Sequence, residues 1–259
     1  MAEIFLDEPF ASLWLGKDTF EEIARLSGEE FRRVKTRRTF RIEIGGKGFF
    51  IKHHTGVGWG EILKNLLVFK KPVVSARGEY EAIRALEKCG VPTMACAGFG
   101  ERFFDPAGKE SFIITRELAG MSNLEDLFAS GKVTSELRSD IARRLGESVG
   151  KMHAAGLNHR DCYICHFLRS PETGALHVID LHRAQIRKKV PFRYAVKDVA
   201  GILFSAMDLS LTLRDIALFY REYKAAGNKD SASFRRAVLK AAVKLYIKEF
   251  GKEPPQIVR

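Results

Sequence analysis

The sequence predicts an α+β protein of two unequal lobes, strand-rich at its start and helical from its middle onward. Three observations carry this reading. Residues 31–53 alternate apolar and polar side chains at the strand period and turn at Gly45-Gly46, whereas from Leu124 onward the apolar residues recur at helical spacing. The chain has 259 residues, 46% of them hydrophobic, which is enough for one large domain or for two lobes sharing a cleft. Strands first and helices later is the order expected of an α+β fold.

Each element has its own signal. Phe40, Ile42 and Ile44 alternate with Arg41 and Glu43, and Phe49-Phe50-Ile51 follows the glycine pair, so this segment reads as a hairpin ending in Lys52. Residues 76–89 read as a helix with Glu79, Ile83 and Leu86 on one face, stopped by Gly90 and then Pro92. Ser111 to Thr115 is a short apolar strand, and Gly120 marks the break after it. A long amphipathic helix is expected from about Ser135 to Ala155, carrying Leu137, Ile141, Leu145, Val149 and Met152 at spacings of four or three. A strand pair follows at Phe167-Leu168 and His177-Val178-Ile179, and residues 197–249 read as mostly helical. There is no internal repeat and no low-complexity segment.

The charge points to a class of partner. With 43 Lys and Arg against 32 Asp and Glu, the formal charge is +11, which favours an anionic partner: nucleic acid, an acidic membrane surface, a phosphorylated substrate or an acidic protein. Six of the cations fall between Arg32 and Arg41 and five between Arg183 and Arg193. The first residues carry no basic start followed by an apolar run, and no stretch of about 18 apolar residues occurs, so a cytosolic protein is expected. The stretch from Trp59 to Phe69, with Lys64, Lys70 and Lys71, suits either a membrane surface or the core. Four cysteines, with Cys162 and Cys165 close together, do not form a secreted disulfide framework.

The chemistry concentrates in Asn158-His159-Arg160-Asp161-Cys162-Tyr163-Ile164-Cys165-His166 and in the apolar strand that ends at Ile179-Asp180. Two carboxylates about one hairpin apart suit phosphoryl transfer, one orienting the attacking hydroxyl and the other holding the metal that neutralises the phosphates. Lys52, at a strand end, supplies a cation for the α- and β-phosphates, and Glu79 on the next helix holds it. Glu81 competes for that role; the face shared with Ile83 and Leu86 favours Glu79.

This order of parts resembles the protein-kinase-like superfamily: a strand lysine in Gly48-Phe49-Phe50-Ile51-Lys52, a helix glutamate, a His159-Arg160-Asp161 loop and a metal-binding Asp180. The segments 159–167 and 178–185, His-Arg-Asp-Cys-Tyr-Ile-Cys-His-Phe and Val-Ile-Asp-Leu-His-Arg-Ala-Gln, are similar to the lipopolysaccharide core heptose kinases, the WaaP (RfaP) family. Glu8-Pro9-Phe10, Thr36-Arg37-Arg38-Thr39, Lys64-Asn65-Leu66-Leu67, Ser111-Phe112-Ile113-Ile114-Thr115 and Lys197-Asp198 are similar to the same family, so the resemblance spans nearly the whole chain.

The resemblance implies a bilobal protein-kinase-like fold, with an N-lobe at 1–118 and a C-lobe at 119–259. It also implies ATP and Mg²⁺ as cofactors and phosphorylation of the 4-hydroxyl of the first heptose on heptosylated Kdo-lipid A. The work would be done at the cytoplasmic face of the inner membrane of a Gram-negative bacterium, with an acidic protein as a further partner and no nucleic acid. Asp161 is then the catalytic acid-base group and Asp180 the metal ligand. Adenine is held by backbone groups at a hinge near Arg116-Glu117-Leu118, so Glu117 and Leu118 join Lys52 and Glu79 as nucleotide-binding positions.

Departures from the pattern are equally specific. No glycine-rich phosphate loop separates the first two strands; the turn falls near Lys35-Thr36-Arg37-Arg38, where arginines could replace backbone donors. His166 stands where many kinases place a metal-binding Asn, and it either reaches the metal through water or stays outside its shell. Leu181-His182 follows Asp180 in place of Phe-Gly. From Leu181 to Val196 there is no Ser or Thr, which suits a metabolic kinase. Asp198 either caps an apolar helix, braces the catalytic loop or serves as a second acid.

Several readings compete with this one. Cys162 to His166 spells the C-x-x-C-H of c-type haem, and His159, Cys162, Cys165 and His166 offer four zinc ligands within eight positions; the plainest reading packs both cysteines in the loop. The nearer functional rivals are another kinase of the same fold, acting on Kdo, an aminoglycoside or a protein tyrosine. The farther one is a zinc-binding or scaffold protein.

Overall fold

In the computed structural model, residues 2–34, 36–56, 59–60, 75–102 and 108–255 are described. Lys35, residues 61–69 of the apolar stretch, Lys70 and Lys71 lie outside them. Contacts divide the chain into two compact units, Met1–Ile83 with Met94–Ala119 and Arg84–Thr93 with Gly120–Arg259.

The first unit holds β1 (Glu3–Leu6), α1 (Phe10–Leu13), α2 (Thr19–Arg25), β2 (Glu29–Val34), β3 (Arg37–Ile44), β4 (Lys47–Thr55), the start of α3 (Arg77–Lys88), β5 (Cys96–Arg102) and β6 (Glu110–Arg116). Its six strands form one antiparallel sheet in the order β1-β5-β6-β4-β3-β2. The expected hairpin is β3 and β4, paired from Arg37↔His54 to Ile44↔Lys47. Gly45 and Gly46 turn it at φ 58° and 72°, the left-handed values that a tight two-residue turn requires. Alternation then places Phe40, Ile42, Phe49 and Ile51 on the buried face with Phe10 of α1, Trp14 just after it, and Phe20 and Ile23 of α2. Phe10 meets Phe49 edge-on at 4.9 Å.

The second unit holds β7 (Ser122–Asn123), α4 (Leu124–Ala129), α5 (Ser135–Ala154), β8 (Leu157–Asn158), β9 (Phe167–Arg169), β10 (Leu176–Val178), β11 (Gln185–Ile186), α6 (Phe192–Ala206), α7 (Leu213–Ala225) and α8 (Ala232–Phe250). Helix α5 follows its amphipathic pattern, burying Ile141, Leu145, Val149 and Met152 and capped by Thr134, whose Oγ1 accepts from Leu137 N–H. It lies close on α7, where a Cβ at Gly146 would collide with the Phe219 carbonyl. Residues 197–249 are helical as expected, but in three helices. A capping box of Thr212 and Asp215 starts α7 and Ser231 starts α8, signals weaker in the sequence than a glycine or proline. Helix α6 begins at Phe192, so Asp198 lies within the helix and does not cap it; Pro191 holds the cap position.

Candidate active site

The expected catalytic loop leaves β8, which pairs with β11 at Asn158↔Gln185, and runs through His159, Arg160 and Asp161. Its backbone is fixed by one buried carboxylate on α6. Asp198 accepts from His159 N–H at 2.7 Å through Oδ2 and from Arg160 N–H at 2.9 Å through Oδ1. His153 Nε2 lies 3.3 Å from the same Oδ2, and His153 Nδ1 lies 2.9 Å from the Tyr223 hydroxyl, so α5 and α7 steady the brace. Of the open readings for Asp198, the loop brace is the one its contacts match. Arg160 takes φ 78°, a conformation that costs a non-glycine residue roughly 1–3 kcal/mol and persists only where surrounding contacts impose it.

Both oxygens of Asp161 accept from one nitrogen of Arg183, at 2.8 and 2.9 Å. The Asp161 carbonyl meets His166 Nδ1 at 2.7 Å, and the His166 ring stacks on His159 with centroids 5.6 Å apart. His159 is wholly buried, and burial holds its imidazole below the ordinary range, so it is neutral; Nε2 donates to the Ile179 carbonyl at 2.9 Å. The two segments that carry the acids are thereby tied together: Ile179 N–H also donates to the His166 carbonyl at 3.0 Å.

Asp180 is the second acid and the second left-handed residue, at φ 57°. Its Oδ1 lies 2.6 Å from His182 Nδ1 and its Oδ2 lies 3.7 Å from His166 Nε2. Burial works against a charge on His166, but the hydrogen bonds of Cys165 and of the Asp161 carbonyl, with the charge of Asp180, raise it to about 9. Magnesium prefers oxygen ligands and commonly takes one or two carboxylates together with substrate phosphates. Asp180, its side chain about one-third exposed at 35%, fits that donor set, with His166 holding the carboxylate from the side.

Among the described residues no group of three or more His, Cys, Asp or Glu side chains converges as a metal-holding cluster. Cys162 is buried and burial pushes its thiol well up, as a packed thiol and not a thiolate ligand. A Cβ on Gly201 of α6 would come 2.5 Å from the Cys162 carbonyl, so the helix and the loop approach backbone to backbone.

In the first unit, Lys52 Nζ donates to Glu79 Oε1 at 2.7 Å, with Glu79 only 2% exposed. Glu81 is exposed and lies 4.0 Å from Arg77 instead. Glu79 Oε2 is buried without a hydrogen-bond partner among the described residues. At the expected hinge, Glu117 donates its N–H to the Gly48 carbonyl at 2.9 Å. Its carboxylate takes two bonds from Arg41, which hold it below the usual range. Leu118 beside it is half-buried. Arg38, considered above as a phosphate ligand, donates to the Leu26 carbonyl at 2.8 Å and lies 3.3 Å from Glu30. Of the functional groups, the sequence reading missed the grip of Arg183 on Asp161 and that of His182 on Asp180. Both residues lie in the segment 178–185 that carries the family resemblance, and Arg183 opens the second basic run, but neither signal points to a partner.

The comparisons with known proteins agree in kind. The pattern of the "Lipopolysaccharide kinase (Kdo/WaaP) family" matches residues 21–223. A Pseudomonas aeruginosa protein named lipopolysaccharide core heptose(I) kinase WaaP is 47% identical over 229 residues, covering 85% of each chain. A protein of the same name from Escherichia coli K12 is 48% identical over 227 residues, covering 84% of this chain and 86% of its own. The solved structure titled "WaaP in complex with acyl carrier protein" superposes with a TM-score of 0.80 at 39% identity, covering 94% of this chain and 99% of that one.

Proposed function

The chain belongs to the lipopolysaccharide kinase (Kdo/WaaP) family, and from that premise we propose that it phosphorylates the 4-hydroxyl of the first heptose of the lipopolysaccharide inner core on a lipid A-linked acceptor. Membership of a kinase family implies ATP as the donor. The observation that carries the reading is the pair of acids, Asp161 and Asp180, held by partners from a single turn, His182 and Arg183.

Asp161 orients the heptose hydroxyl and accepts its proton as the oxygen forms a bond to the γ-phosphorus. The bond from that phosphorus to the β–γ bridging oxygen breaks, and ADP leaves with the electron pair. Lys52, held by Glu79, binds the α- and β-phosphates, and the backbone at Glu117 and Leu118 receives the adenine. Asp180, its carboxylate oriented by His166 and His182, would hold a magnesium ion, which would supply neutralisation of phosphate charge. Positioning and electrostatic stabilisation supply most of the acceleration in phosphoryl transfer of this kind. Residues 1–118 serve the nucleotide and residues 119–259 carry the catalytic loop and the acceptor platform.

The charge of +11 supports an anionic glycolipid as acceptor and an acidic protein as partner, of the kind named with the solved relative. No described helix is long and apolar enough to cross a membrane, and the proposal places the enzyme peripherally at the cytoplasmic face of the inner membrane. Label from [γ-³²P]ATP is expected in heptosylated Kdo-lipid A and not in Kdo-lipid A lacking heptose. Label in the heptose-free lipid would make the chain a Kdo kinase instead.

A further inference from the structure

Residues Cys162 to Cys165, between Asp161 and His166, contain no Lys or Arg, so this stretch of the loop supplies no guanidinium or ammonium group of its own. One is supplied from elsewhere. The short turn Leu181–Arg183 starts at the left-handed Asp180, returns His182 to the Asp180 carboxylate and sends Arg183 to both oxygens of Asp161. A single turn therefore grips both acids. Arg183 is 38% exposed and Asp161 17%, so the contact is open to an incoming ligand and is not a buried structural pair. Burial and the charge of Arg183 lower the Arg160 guanidinium and the charge of Asp161 raises it, so Arg160 also stands within electrostatic reach of this pair. Cations close to the acid suit a site where a phosphoryl group carrying negative charge must pass.

We propose that Arg183 is a positioning residue for phosphoryl transfer: it holds the Asp161 carboxylate in register with Asp180, so that the conformation of the second acid sets the orientation of the first. The inference rests on the reading of Asp161 as the group that orients and deprotonates the acceptor hydroxyl. It leaves nucleotide binding untouched, because neither partner of the contact is assigned to ATP.

The test is steady-state transfer from ATP to heptosylated Kdo-lipid A by the full chain, its Arg183→Gln and Arg183→Lys variants, Asp161→Asn, and the Asp161→Asn/Arg183→Gln double variant. Arg183→Gln is expected to lower kcat by about 100-fold, the scale of a misplaced catalytic group, with KM for ATP changed by less than about 3-fold. Arg183→Lys, which keeps a cation able to reach the carboxylate, should recover at least about 10-fold of that loss. In the Asp161→Asn background Arg183→Gln should cost nothing further, because both changes act through one carboxylate. A wild-type kcat in Arg183→Gln overturns the inference, as does a lysine variant no better than glutamine, or an equal loss in both backgrounds. Absence of transfer by the unmodified chain overturns the proposed function and this inference together, whereas wild-type transfer with an indifferent Arg183 overturns the inference alone.

Discussion

Asp198, wholly buried on α6, accepts the backbone N–H of Arg160 at 2.9 Å and so fixes Arg160 in a left-handed conformation directly before Asp161. The strain of that backbone is offset by the two hydrogen bonds that Asp198 accepts from His159 N–H and Arg160 N–H, each contributing about 1 kcal/mol. Asp198→Asn offers one acceptor oxygen in place of two. Its expected outcome is a loss of about 2–4 kcal/mol in urea denaturation and a kcat lower by about 10-fold or more. A variant that unfolds at the wild-type midpoint would contradict the brace.

Gly201 probes the same junction from the helix side. Alanine is the better helix former by about 1 kcal/mol, so propensity alone predicts that Gly201→Ala stabilises. The Cys162 carbonyl 2.5 Å from the new Cβ predicts the reverse, a loss of about 1–3 kcal/mol as helix and loop are forced apart. Differential scanning calorimetry gives the sign.

Lys52 and Glu79 should separate nucleotide binding from loop geometry. Lys52→Met keeps the apolar stem and removes the charge, so the Kd for ATP is expected to rise about 10-fold, the worth of one charge-assisted contact. Glu79→Gln should move it the same way and less, since the lysine stays but is held by a neutral partner. Isothermal titration with ATP measures both. Unchanged affinity in Lys52→Met would remove this residue from the nucleotide site.

His166 gives a pH signature. Its folded value of about 9 lies above the ordinary 6.5 of an unfolded histidine. The folded chain therefore binds this proton more tightly. The resulting stability is fully present below about pH 6.5 and is lost as pH rises through about 9, at up to about 1.4 kcal/mol per pH unit. Denaturation midpoints measured from pH 6 to 10 should fall along that window in the wild type and run flatter in His166→Gln. Parallel slopes would show that His166 does not carry its charge in the folded state.

Much of this was legible in the sequence where the determining contacts are local. Alternation at Phe40, Ile42 and Ile44 fixes which face of β3 is buried, and the two glycines fix the turn. The loop acids and the Lys52–Glu79 pair were also visible, because strand, helix and loop each present them at a marked position. Strand β5 was not foreseen: Gly98 and Gly100 interrupt its pattern because side chains of neighbouring strands, the Phe112 ring among them, fill the space a Cβ would need. In the sequence Arg183 belongs to a basic run and to the family-like segment 178–185, neither of which names its partner. Its contact with Asp161 joins residues 22 apart through a turn whose direction is set by the left-handed Asp180, and no periodicity encodes that.

The proposed transfer depends most directly on Asp161 as the proton acceptor for a heptose hydroxyl. The decisive measurement is the rate of ³²P transfer from ATP to heptosylated Kdo-lipid A by the wild type and by Asp161→Asn, with ATP binding and unfolding midpoint determined on the same samples. The prediction is a folded variant that binds ATP as the wild type does and transfers phosphate about 10²–10⁴-fold more slowly, the contribution of a positioned acid-base group. Transfer at the wild-type rate by Asp161→Asn would contradict it.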